Sequence, residues 1–98
     1  MDVYFVLNGI TFVWNAEKAR NNPIKHDGVT FEQAAEAFFD PFLKIVDASR
    51  NHEERDAIIG MDTHWNLLFV VHIDFEDDVI RIISARKATR KESEYYED

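Results

Sequence analysis

Cysteine is absent from this 98-residue chain, so disulfide frameworks, thiolate metal sites and cysteine nucleophiles are all excluded. Glycine is scarce. Its three residues are scattered and one is spent in the pair Asn8-Gly9, which leaves no Gly-rich loop to cradle a phosphate. Long apolar runs are missing as well: the longest, residues 3–7 and 67–71, fall far short of the roughly 20 residues that cross a membrane as a helix. Asp2 stands where a secretory leader carries a basic residue, and no small-residue cleavage site follows. A cytoplasmic protein without a membrane partner is expected. Basic charge is the last shortage, 11 Lys and Arg against 19 Asp and Glu, for a net charge of -8. That balance disfavours loose, charge-driven attachment to nucleic acid and favours a basic protein partner.

What is present suffices for a packed interior, since 46% of the residues are apolar and 13% aromatic. A chain of this length has room for a single domain, residues 1–98. Two β-prone runs, residues 4–7 and 10–14, flank Asn8-Gly9, the strongest short-range signal for a hairpin because a type I′ turn needs positive φ at both central residues. Asn15 is placed to cap a helix over residues 16–21, which Pro23 should stop. Thr30 and Gln33 have capping-box spacing, and Phe31, Ala34, Ala35 and Phe38 recur at helical period until Asp40-Pro41. The period then falls to 2, with strands expected over residues 43–47, 57–61, 67–74 and 79–86. Thr89 and Glu92 form a second capping box before a short terminal helix. These elements add up to an α+β fold: an antiparallel β-sheet with an extra N-terminal hairpin strand, two helices packed on one side and a short C-terminal helix.

The residues that bear chemistry are few. The four histidines, His26, His52, His64 and His72, show no metal-ligand spacing, and neither a metal nor a cofactor is expected. Lys25 and His26 put a cation and a base in one loop. Glu54 and Arg55 open a strand, and Tyr95 and Tyr96 lie on the last helix. Arg81, Arg86, Lys87, Arg90 and Lys91 fall in one stretch free of acidic residues, a local site for phosphate on an acidic chain. Cleavage of RNA without metal needs a base for the 2′-hydroxyl, cations for the phosphate and an acid for the leaving oxygen, and this set contains all three. Strict alternation puts Arg81 and Arg86 on opposite faces of their strand, so a bulge or a frayed end has to redirect one of them. Arg86, just before a helix N-terminus, is well placed for an anion.

The order of residues adds what spacing does not. The runs Phe12-Val13-Trp14-Asn15-Ala16-Glu17-Lys18-Ala19, Lys25-His26, Gly28-Val29-Thr30-Phe31-Glu32-Gln33-Ala34, Glu54-Arg55 and Arg81-Ile82-Ile83-Ser84-Ala85-Arg86-Lys87-Ala88-Thr89, with Glu92 and Tyr95, together resemble BrnT-type toxins of type II toxin-antitoxin systems. The resemblance implies a RelE-like fold, an endoribonuclease that arrests translation, and neutralisation by a BrnA-like antitoxin that contacts promoter DNA. By the same resemblance Lys25, His26, Glu54, Arg55, Arg81, Arg86 and Tyr95 become the residues expected at an RNA site. The pattern departs at the N-terminal extension, residues 1–10, at Asn15 in place of aspartate, and at Asp27 beside Lys25-His26. A second reading is a toxin-like binding module with little catalysis, which docks a regulatory partner. A generic DNA-binding protein fits worst, because no helix carries basic exposed positions suited to a groove.

Overall fold

The structure is a computed structural model that describes residues 1–49 and 51–98. In chain order the elements are β1 (Asp2–Leu7), β2 (Ile10–Asn15), α1 (Ala16–Lys25), α2 (Phe31–Ala37), β3 (Lys44–Asp47), β4 (Asp56–Met61), β5 (Leu67–Phe75), β6 (Val79–Lys87) and α3 (Arg90–Glu97). The six strands form one sheet in the order β1-β2-β6-β5-β4-β3. The β1–β2 hairpin turns on Asn8 and Gly9, both at positive φ, as the dipeptide requires. Asn15 caps α1 by accepting from the N–H groups of Glu17 and Lys18. Both capping boxes form, Thr30 with Gln33 and Thr89 with Glu92.

Four pairings are antiparallel, but β2 pairs with β6 in parallel, through Thr11–Val79, Phe12–Ile80 and Val13–Arg81. The meander thus closes onto the N-terminal hairpin and the sheet is mixed. Alternation along a strand reveals only which residues share a face, so this direction was not written in the sequence. Helix α1 also runs past Pro23 to Lys25, beyond the stop expected at that residue. Proline removes one donor, yet the carbonyls of Asn22 and Pro23 still accept from His26 and Gly28 at 2.9 and 2.8 Å, and in a last turn little else is lost.

The core lies between the sheet and α1–α2, where Phe12, Trp14, Ile58, Leu68, Val70, Ile82 and Ala85 meet Phe31, Ala34, Ala35 and Ala37 of α2. Gly60 allows α2 to approach β4 closely, since a Cβ there would sit 2.6 Å from the Ala37 carbonyl oxygen. Buried Asn22 completes this layer. Its amide donates to the carbonyls of Val29 and Ala85 and accepts from the Ala85 N–H, satisfying the part of the β6 edge that β2 does not reach. Helix α3 takes the opposite face: Tyr95 and Glu92 enclose a cavity with Val46, Ile59 and Phe69, residues that alternate with the core set. The helices therefore sit on both sides of the sheet, with α1 and α2 on one face and α3 across part of the other. Two helices on one side is the layout expected from the element pattern, which did not assign a face to α3.

Candidate functional site

The face of the sheet that α3 only partly covers carries the arginines. Val71 pairs with Ser84 and His72 with Ile82, so Ile83 is an extra residue, a bulge in β6. One inserted residue reverses the alternation beyond it. Arg81, paired with Ile73, and Arg86, paired with Phe69, consequently lie on the same open face, although regular alternation would have separated them. They do not meet there. About 15 Å of strand separates them at roughly 3.3 Å per residue, and the partner of Arg81 is Asp2 of β1, 2.7 Å from Nη2.

Arg86 instead shares a cavity of about 480 Å³ with Arg55. Phe69, Val71 and Ser84 form the floor, and Asp47, Ala48 and Ser49 the wall on the β3 side. Arg86 is held by three contacts. Its Nη1 and Nη2 donate to the Glu92 carboxylate at 2.7 and 2.8 Å, Nη1 also reaches the Lys87 carbonyl, and the guanidinium lies 4.3 Å from the centre of the Phe69 ring. The hydrogen bond to Glu92 raises the Arg86 pKa against partial burial, and the same bond holds the Glu92 carboxyl below the usual range. Arg55 donates to Glu53 at 2.6 Å, and its buried Nε has no hydrogen-bond partner among the described residues. A guanidinium has five N–H donors, so both arginines keep donors for a ligand. Their charges are each met by a carboxylate, however, and Asp47 adds another. What the cavity offers an anion is directional N–H groups more than a net positive field.

The other expected residues lie elsewhere. Glu54 lines an adjoining cavity of about 350 Å³ that shares Asp47, Ser49 and Arg55 with the first. Tyr95 borders the cavity beneath α3 that includes Phe69, with Lys44 Nζ 5.1 Å from its ring centre. Lys25 ends α1 and His26 caps it, and neither lines the arginine cavity. The loop they begin belongs to the helical layer, tied to Ala85 through Asn22. Sequence reasoning overlooked Asp47, Ser49, Ser84 and Phe69. Asp47-Ala48-Ser49 did carry a signal, an aspartate two residues before a serine: Asp47 Oδ1 accepts from the Ser49 N–H at 2.9 Å, and hydrogen bonds from Ser49 keep the carboxyl below its ordinary pKa. Ser84 already shares the face of Arg86 by alternation, whereas Phe69 is brought opposite Arg86 by the register of β5 on β6.

Fold and site together define a small α+β protein with a two-arginine cleft on the open face of its sheet. The chain belongs to the BrnT family: the model of that family, described as the ribonuclease toxin, BrnT, of type II toxin-antitoxin systems, matches residues 14–92. The match takes in Arg55, Arg81, Arg86 and Glu92 but excludes β1, and with it the Asp2 that occupies Arg81. No individually curated protein matches the chain. Among the described residues, no helix is long and apolar enough to cross a membrane.

Proposed function

We propose that the chain is a metal-independent endoribonuclease toxin whose Arg55 and Arg86 hold the scissile phosphate of an RNA, and that a BrnA-like antitoxin, itself the contact to promoter DNA, neutralises it. The observation that carries this reading is that these two arginines, 31 residues apart in sequence, line one open cavity within the stretch matched to a ribonuclease family. Phosphate displaces carboxylate from guanidinium without loss of geometry, because both present two oxygens to the same fork of donors. Stabilising charge on a pentavalent phosphate is then the main task of the cavity. No imidazole lines it among the described residues, so Asp47, or Glu54 of the adjoining cavity, takes the 2′-hydroxyl proton as the 2′-oxygen bonds to phosphorus, and water protonates the 5′-oxygen as its bond to phosphorus breaks. Tyr95, in the neighbouring cavity that includes Phe69, acts farther along the strand of RNA, and so does Arg81 once Asp2 is displaced; Lys25 and His26, in the helical layer, take no step in this cavity.

Purified protein freed of antitoxin should cut RNA in the presence of EDTA. Arg55→Ala or Arg86→Ala should each slow cleavage about 100-fold, the usual cost of removing one transition-state donor. Undiminished cleavage in both variants would eliminate the assigned phosphate role. The second reading, a binding module with little catalysis, draws on the carboxylate partner of every arginine in the cavity. Tight antitoxin binding without RNA cleavage, and expression harmless to growth, would establish it instead.

A further inference from the structure

A different trio of side chains converges at the end of the sheet. His72 and Asp74 stand two residues apart on β5, and Asp56 of β4 is directly opposite His72 in the ladder, so alternation points all three to one face. One ligand atom from each, an imidazole nitrogen and two carboxylate oxygens, lies within 4.8 Å of the others. The spacing of histidines along the chain gave no hint of this, because the third ligand comes from a neighbouring strand.

The histidine supplies a second observation. His72 is 3% exposed, packed edge-on against the Phe38 ring at 4.8 Å. Its Nδ1 lies 3.5 Å from the Val70 carbonyl, an arrangement that leaves a lone pair on Nε2 when Nδ1 holds the proton. Nε2 makes no hydrogen bond among the described residues. Asp74 Oδ1 is 3.6 Å away, too far for one. The ring is held mainly by packing, with Nδ1 on the side of the Val70 carbonyl and Nε2 on the side of Asp74, an orientation that suits a metal-ligating histidine.

We infer that Asp56, His72 and Asp74 bind a divalent transition-metal ion, with zinc the best match, and that the ion clasps β4 to β5. One imidazole with two carboxylates suits zinc or manganese, whereas calcium and magnesium take shells of oxygen. Ligands at about 2.1 Å from a tetrahedral ion are about 3.4 Å apart, so binding requires the two exposed aspartates to swing inward while His72 stays in place. The cation also relieves repulsion between the carboxylates. Asp56 and Asp74 are both exposed, so an ion reaches their carboxylates directly from solvent. This clasp is independent of the RNA-cleaving reading and supplies no step in it.

The test is titration of chelator-treated protein with zinc chloride by calorimetry, followed by cobalt(II) substitution to read coordination from its absorption. One equivalent should bind, raise the melting temperature and be released by chelator. Asp74→Asn changes a largely exposed side chain and should weaken binding at least ~10-fold, since even outer-shell partners are worth 10–100-fold; His72→Gln should remove the cobalt spectrum. A combined His26→Gln, His52→Gln and His64→Gln variant should bind as before. Absence of saturable binding at millimolar zinc, or binding that survives Asp74→Asn and vanishes in the triple variant, would overturn the inference.

Discussion

Arg86 shows how one side chain serves both stability and the proposed chemistry. Its pair with Glu92 fastens α3 to β6, and its plane rests on Phe69. Arg86→Ala should therefore cost stability as well as cleavage, about 1 kcal/mol after discounting the partial exposure of both groups. Arg86→Lys should rescue little of either, because lysine lacks the fork that meets Glu92 at two points. Denaturant midpoints read the first effect and cleavage rates the second. Asn22 makes a cleaner structural prediction. Asn22→Ala abandons two buried carbonyls and one N–H, each costly when unpaired, and the folding free energy should fall by about 3 kcal/mol in urea titrations.

At the level of elements, the contact of α2 with β4 at Gly60 and the bulge in β6 decide the layout. Gly60→Ala drives a Cβ against the Ala37 carbonyl at 2.6 Å, so α2 must lift from the sheet, at a cost of about 1–3 kcal/mol. A lowered melting temperature without change in β content would register it. The bulge is what permits Arg81 and Arg86 to share a face, and β1 then takes Arg81 out of use. Asp2→Ala breaks the pair that holds Arg81 and should increase RNA affinity with little effect on melting; unchanged affinity would show that Arg81 takes no part in binding.

For the whole molecule, charge sets the pH range and the response to salt. Hydrogen bonds to Arg81, Ser49 and Arg86 lower the carboxyls of Asp2, Asp47 and Glu92. Burial pushes Asp40 and Asp62 upward, but bonds from Tyr96, Phe42 and Met61 to the first and from Asn66, Gln33 and His64 to the second outweigh it and leave both below the usual range. Depressed carboxyls stabilise the fold above the unfolded value of about 4 and lose that contribution as pH falls through the folded values, so acid should unfold the protein progressively below about pH 4. Tyr96 guards the other limit. Burial, then its bond to Asp40, raises the phenol to about 12, and its contribution should fade between about pH 10 and 12. Tyr96→Phe should erase that alkaline transition in melting curves. The two phosphate contacts made by Arg55 and Arg86 contribute about −1.4 to the slope of log affinity for RNA against log salt. Loss of Arg55 or Arg86 should flatten the slope by about 0.7.

The sequence by itself determined the elements. Asn8-Gly9, the Asn15 cap, two capping boxes and the change of period from 3.6 to 2 are local signals that fix local backbone, and the ordered runs around Glu54-Arg55 and 81–89 were enough to indicate the family. Arg86 was also legible as a candidate from its place before a helix N-terminus, whereas Arg55 entered the expected site through the family resemblance, and the pair that sequence position favoured for phosphate was Arg81 with Arg86. Only the tertiary structure decided which candidates come together. The parallel closure of β2 on β6, the extra residue at Ile83 and the passage of α3 to the far face are products of long-range packing, and they put Arg55 with Arg86 while assigning Arg81 to Asp2 and His26 to the helical layer. Contacts between distant segments depend on register and strand direction, and neither is encoded by the residue types within any single segment.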